Sequence, residues 1–364
     1  MPSIHPYAPR GIPSDVADLM ARFGLTVRDL LTTDRQNAKL KKGQAVARAL
    51  ILHHLPARSL SHALNPGNDS GTVARSFIPS LLELAEREQL TARAMAWNGC
   101  PWATAGCGSA HGGGCLAFSG HGGMGQTVAA ARGRRTLAMI SAPEVYGRAV
   151  FWAVLRHLRA ARRDGLPLSV RLRGTDEGPA IGWHRLPVMI TSAEARSIAD
   201  RYGVETIPGT LPMGQRLDVP DLHAMDYSKA GTDGALGLIA QRAAGFDITA
   251  SFAADRATAC HDGLAALKNG FRLAVPVAVK RGDPLPVGLT LTHGGQSVTV
   301  STVDGDRHDH RWMDPQGSDA VAVMLRTKRS AGSVASVADL FSLQPHDRPQ
   351  RLADGTVRLA WAES

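Results

Sequence analysis

Cysteine is scarce in this chain, with four among 364 residues, and aromatic residues make up only 5%. So few thiols exclude a small disulfide scaffold, and a chain of this length can bury a full hydrophobic core without one. No stretch approaches the roughly 18 uninterrupted apolar residues that a membrane-spanning helix needs. The opening "MPSIHPYAPRGIPSDVADLM" also lacks a charged start followed by an apolar core. A cytoplasmic protein without a membrane segment is therefore expected, its oligomeric state left open. With 44% hydrophobic and 20% charged residues the composition is that of an ordinary globular protein. The length suits one large α/β domain with an appendage, or two unequal domains.

Against that scarcity, three of the four cysteines fall in one Gly-rich stretch, "NGCPWATAGCGSAHGGGCLAFSGHGGM", as C-x₆-C-x₇-C. Disulfides rarely persist in a reducing compartment, so Cys100, Cys107 and Cys115 point to a metal or cluster site. Thiolates a few residues apart can converge on one soft or borderline ion at little entropic cost. Three sulfurs leave one position open. A fourth protein ligand (His111, His121 or Cys260) would suit structural zinc, and a bound small molecule would suit a catalytic iron–sulfur cluster. The same glycines permit a backbone nest for phosphate, although the stretch is neither a P-loop nor a dinucleotide fingerprint.

Periodicity divides the chain near residue 90. Residues 1–90 read as mostly helical, in "PSDVADLMARFG", "NAKLKKGQAVARALILHHL" and "SFIPSLLELAEREQL". From there to residue 364 short apolar runs alternate with helical stretches. "ARAMAW" reads as a first strand leading into the cysteine segment, and "APEVYGRAVFWAVLRHLRAARRDG" as an amphipathic helix. Further strands are expected in "LSVRLRG", "DLHAMDYS", "GFDITASFA", "FRLAVPVAV", "QSVTVSTVDG" and "AVAVMLRT". This α/β pattern predicts a (β/α) barrel, closed, partial or open, behind a helical N-terminal segment, with a doubly wound sheet as second choice. Both folds gather chemistry at the carboxyl ends of their strands.

That rule selects three groups, and two basic groups flank the cysteine segment. Gly174, Thr175, Asp176 and Glu177 end one strand, where carboxylates can bind an amino group or act as a base; a helix cap serves those residue types equally well. Asp226 and Lys229 end another. Asp304 and Asp306 open the run "VDGDRHDHRWMD", which suits a divalent cation, or else a turn whose aspartates pair with arginines. Arg132, Arg134 and Arg135, with Arg159 on the following helix, form two basic groups fit for phosphate recognition. A formal charge of +9 points the same way, towards a nucleic acid or nucleotide partner.

The ordered segments "NAKLKKG", "CPWATAGC", "CLAFSG", "VRLRGTDE", "MDYSK" and "VDGDRHDHRWMDP" resemble the phage and plasmid proteins labelled gene product 88, from about Asn37 to Leu325. In that family the third cysteine follows the second by three residues. Here "HGGG" lengthens the gap, so either Cys115 or His111 stands in the third-ligand position. The family is in turn similar to radical S-adenosylmethionine barrels. That likeness implies a [4Fe–4S] cluster on the cysteines and the cofactor's amino group held by Gly174, Thr175, Asp176 and Glu177. It also implies Asp226, Lys229, Asp304 and Asp306 facing a nucleic acid or nucleotide in a mobile-element setting. The alternatives are a zinc-containing, base-exchanging barrel of transglycosylase type and a non-enzymatic DNA-binding protein with a structural metal.

Overall fold

The computed structural model describes residues 12–27, 30–35, 38–55, 59–68, 76–100, 125–174, 187–189, 210–212, 221–234, 237–243, 246–253, 256–277, 279, 282–326 and 350–360. They form a mixed α/β fold with a mostly parallel sheet order, divided into two compact units.

The first unit takes the described residues up to 100, with 125–224 and 246. Its helices are α1 (Ser14–Arg22), α2 (Ala38–Lys41), α3 (Ser59–Leu64), α4 (Pro79–Arg87), α5 (Thr91–Met95), α6 (Gln126–Ser141) and α7 (Pro143–Arg163). Its strands are β1 (Leu31–Thr33), β2 (Arg48–Leu52), β3 (Leu168–Arg171), the pair β4 (Pro187–Met189) and β5 (Thr210–Pro212), and the start of β6 (Leu222–Ser228). β1 runs antiparallel to β2, whereas β2, β3 and β6 are parallel. The core is built on α7. Proline in its first turn presets the backbone, Glu144 and Arg162/Arg163 complement the helix dipole, and Gly165 ends it at φ +67°. Tyr146, Val150, Leu155 and Leu158 are buried along one face, each contributing about 1.5–3 kcal/mol by leaving water.

The second unit takes 225–243 and the described residues from 247 on. It adds α8 (Leu238–Ala243), β7 (Asp247–Ser251), α9 (Ala259–Lys268), β8 (Arg272–Val277), β9 (Gly288–His293), β10 (Gln296–Asp304), β11 (Ala322–Arg326), β12 (Gln350–Arg351) and β13 (Val357–Ala360). The strand order is β6-β7-β8-β11-β10-β9-β13-β12. It is parallel from β6 to β10, and β9 returns antiparallel to β10. Among the described residues no pairing joins the last strand to the first, so no closed barrel is formed. Cys260 lies buried in α9 among core residues. No helix of the described residues is long and apolar enough to cross a membrane.

The six strands expected from β3 onward form where their apolar runs lie. Two segments differ. The pattern "NAKLKKGQAVARALILHHL" predicts one helix, but only Ala38–Lys41 is helical, and Arg48–Leu52 is a strand paired on both edges. A short, continuously apolar run such as "ALIL" carries no period that separates a buried strand from a buried helix. Conversely "ARAMAW" forms helix α5 and not a strand, in keeping with the helix propensity of Ala, Arg and Met. The cysteine segment thus follows a helix, and the strand-to-loop step that underlies the likeness to radical barrels is absent there.

A single hydroxyl fastens α6 to the end of β2. Thr136 Oγ1 accepts the Leu55 N–H at 3.0 Å and donates to the Arg132 carbonyl at 2.9 Å, fully buried. Thr136→Val keeps the shape but strands a buried N–H. It is expected to lower the unfolding free energy by about 1–3 kcal/mol, while Thr136→Ser restores most of it, as read from urea midpoints.

Candidate functional site

The parallel register of β2 and β3 runs from Arg48 opposite Leu168 to Ile51 opposite Arg171. Both chains therefore leave the sheet at the same, carboxyl end, β2 into His53-His54 and β3 into Leu172-Arg173-Gly174. The Gly174 N–H donates to the Leu52 carbonyl at 2.8 Å and draws the two exits together. A Cβ on Gly174 would sit 2.2 Å from Ile51 Cγ2 and 2.6 Å from His53 Nδ1. Only glycine leaves room for the imidazole.

Arg132 and Arg135 project from α6, three residues apart and so on neighbouring faces. An Arg135 guanidinium N–H donates to the His53 carbonyl at 3.4 Å. Arg132 is 7% exposed, and Arg171, from β3, is 9% exposed. Burial, followed by the charges of Arg132, Arg171, Arg135 and His54, pushes the His53 imidazole well below its ordinary range, so it is neutral at physiological pH. Among the described residues its Nδ1 is buried with no hydrogen-bond partner. His54 plays a different part, fully buried with Nε2 3.2 Å from Tyr146 Oη. Arg173, also buried, places its guanidinium 5.8 Å from the centre of the Phe246 ring. What results is a cationic rim of buried and half-buried arginines near a neutral imidazole, and guanidinium is a group type suited to an anion with several acceptor oxygens.

Of the residues singled out in the sequence, the structure brings Arg132, Arg135 and Gly174 together. Arg134, two residues from Arg132 on the helix, lies instead beside Gly24, 4.0 Å from where a Cβ there would stand. Arg159 is exposed on α7, a solvated helix face. Cys100 is half-buried in the same unit. Its N–H is held by Asn98 Oδ1 at 3.1 Å, and Trp97 Nε1 donates to the Leu55 carbonyl at 3.4 Å, two residues beyond His53. Cys100 therefore follows, three residues on, a tryptophan bonded to the chain just after β2. Cys107, His111, Cys115, Thr175, Asp176 and Glu177 lie outside the described residues.

The remaining candidates belong to the second unit. Asp226 is 1% exposed, and its Oδ1 accepts the Tyr227 N–H at 2.8 Å. The Lys229 carbonyl accepts from Arg256 at 2.7 Å. Asp304 Oδ1 accepts the Asp306 N–H at 2.9 Å, while Arg326 donates its side chain to Asp304 and its N–H to Asp306, both at 3.0 Å. This is the turn reading of the acidic run, closed by an arginine from the neighbouring strand. The rest of that run travels back to the amino ends of β7 and β8. There Arg272, fully buried, donates to Asp247, to the Arg311 carbonyl and, at 3.0 Å, to the Asp314 carbonyl. Burial lowers its pKa to about 10, leaving it charged. Among the described residues no group of three or more His, Cys, Asp or Glu is placed to hold a metal ion.

A groove of about 620 Å³ lies on β9, β10 and β13, lined by Thr290, Thr292, Ser297, Thr299, Thr356 and Arg358 among others. Its hydroxyls pair across the strands, Thr290 with Thr299 at 2.9 Å and Thr292 with Ser297 at 2.7 Å.

Comparison with protein-family models, with curated proteins and with solved structures returned no match.

His53 is the residue that sequence reasoning misses, because the pattern around "LILHHL" reads as helix. The signal is the unbroken apolar run ahead of it, which fits a buried strand delivering a polar pair at its carboxyl end. Its protonation gives a test. The fold disfavours the charged ring, so as pH falls the unfolded chain takes the proton first. The stability tied to the neutral ring is complete above the ordinary value of 6.5 and is lost as pH falls towards the lower folded value. Unfolding free energy should therefore decline between about pH 7 and 5, and His53→Asn should decline less steeply; equal slopes in urea titrations would count against a buried neutral ring.

Proposed function

We propose that this chain is a metal- or iron–sulfur-dependent enzyme acting on nucleic acid or a nucleotide, working in the cytoplasm on an open (β/α) arrangement. The observation that carries the reading is the meeting of His53 and Gly174 at the carboxyl ends of β2 and β3, with Arg135 bonded to the His53 carbonyl and the charges of Arg132 and Arg171 acting on its ring. Guanidinium groups bind phosphate through paired, charge-assisted hydrogen bonds. Two further features support it. The chain is basic, at +9, and Trp97, three residues before Cys100, bonds the chain just beyond the same strand exit.

In this reading Cys100, Cys107 and either Cys115 or His111 hold the inorganic centre, which when bound supplies redox or Lewis-acid chemistry. The gene product 88 likeness extends it to a [4Fe–4S] cluster with S-adenosylmethionine, seated by Gly174, Thr175, Asp176 and Glu177. The residues of the described rim bind and orient the phosphate.

Purification without oxygen, followed by iron, sulfide and zinc analysis and electron paramagnetic resonance, tests the centre. About four irons and four sulfides per chain are expected for one cluster, falling to background when all three cysteines become serine. Zinc at full occupancy without iron would remove the radical form. No metal of any kind would remove the enzyme reading as stated.

A further inference from the structure

We propose that His261 and His293 together bind a borderline divalent ion such as zinc, between the first turn of α9 and the end of β9. This metal site belongs to the second unit and is independent of the cysteine segment and of the reading above.

The packing of α9 on β9 brings the two imidazoles together. Gly263 lets the helix come close, since a Cβ there would stand 2.9 Å from Leu291 Cδ1. Leu289 and Leu291 are fully buried, and His293 follows two residues on, on the same side of the strand. His261 lies two residues before Gly263, in the first turn of the helix. The ring centres end 5.4 Å apart with their planes at 75°. Two imidazoles on one tetrahedral ion have ring centres about 5 Å apart, because each nitrogen sits about 2 Å from the metal and each ring centre about 1 Å behind its nitrogen. The spacing therefore suits a shared ion.

The hydrogen bonds around the pair prepare it for a metal. His261 Nδ1 lies 3.2 Å from Asp262 Oδ1, and Asp262 Oδ2 accepts the Thr258 hydroxyl at 2.8 Å. A carboxylate only accepts, so Nδ1 of a neutral His261 carries the proton and Nε2 keeps its lone pair. An outer carboxylate of this kind orients a ligating imidazole and raises its basicity. On the other side, His293 Nδ1 is buried with no hydrogen-bond partner among the described residues, and an ion supplies the partner that this nitrogen lacks. The His261 side chain is 60% exposed, so the pair is open to solvent and His261 is the ring that turns to meet the ion. Imidazole nitrogen selects zinc, nickel or copper over magnesium and calcium, which take oxygen ligands. No third His, Cys, Asp or Glu joins the pair among the described residues, and the remaining coordination positions go to water or to a donor from another molecule.

The test uses the full chain, zinc alone as the probe, and equilibrium dialysis read as a difference between variants, so that metal held elsewhere cancels. His261→Ala and His293→Phe should each bind one zinc fewer per chain than the wild type. An excess of magnesium should not displace that zinc. Asp262→Asn should keep the count but weaken the affinity on the order of tenfold, an effect that a purely structural helix-cap role would not produce. Zinc should also raise the urea midpoint of the wild type more than that of His261→Ala, since an ion held between helix and strand binds the folded chain only.

His261 is exposed, so His261→Ala decides the matter even if His293→Phe fails to fold. The same difference should persist when Cys100, Cys107 and Cys115 are all serine, which separates this site from the cysteine centre. An equal zinc count in the wild type and His261→Ala would overturn the inference and leave the cysteine reading untouched. Loss of the metal on the cysteines with the difference intact would do the reverse.

Discussion

Charged guanidinium groups taken out of water set the terms for much of this structure. A buried cation is tolerated only where acceptors or counter-charges replace its hydration. In the second unit the replacement is plain. Arg272 sits at the amino ends of β7 and β8 with Asp247, Thr249 and two carbonyls around it. Arg311 has Asp314 at 2.8 Å. That network ties a short 3₁₀ turn, Arg311–Met313, beneath the sheet, at the end of parallel strands where polar groups serve the fold. In the first unit the arginines gather at the carboxyl ends of its own strands, and what they surround is an imidazole. Arg135 there gives a guanidinium N–H to the His53 carbonyl.

Where sequence pattern and structure agree, one physical signal dominates. The helix α7 combines a proline start, a continuous buried stripe and a glycine stop, and β3, β6, β7, β8, β10 and β11 are apolar runs bounded by polar or glycine punctuation. Where they differ, two signals compete. Ala38, Lys39, Leu40 and Lys41, ahead of Gly43, favour helix, and the run after that glycine is too short to show a period, so β2 is invisible as a strand. Leu40 itself packs with Ala49 and Ile51, a contact that only tertiary structure supplies.

The candidate site is legible in pieces. Arg132 and Arg135 stand out by residue type and by nearness to the cysteine segment, and Gly174 by its place at a predicted strand end, yet what links them is His53, and His53 depends on recognising β2. The acidic run misleads in the opposite way. Its residues are neighbours along the chain, but Asp304 and Asp306 close a turn at the carboxyl end of β10, while His310 and Arg311 are buried near the start of β7. Proximity in sequence is weak evidence of a shared site when the segment crosses the depth of a sheet.

The hydroxyl-lined face of β9 and β10 carries its own implication. Thr290 pairs with Thr299 and Thr292 with Ser297 across the strand gap, so the hydroxyls of this face are already bonded to one another. Such a surface holds its water, because stacking a second sheet on it would strip hydration without returning much apolar contact. A strand face of this kind gains little by burying itself under a second layer.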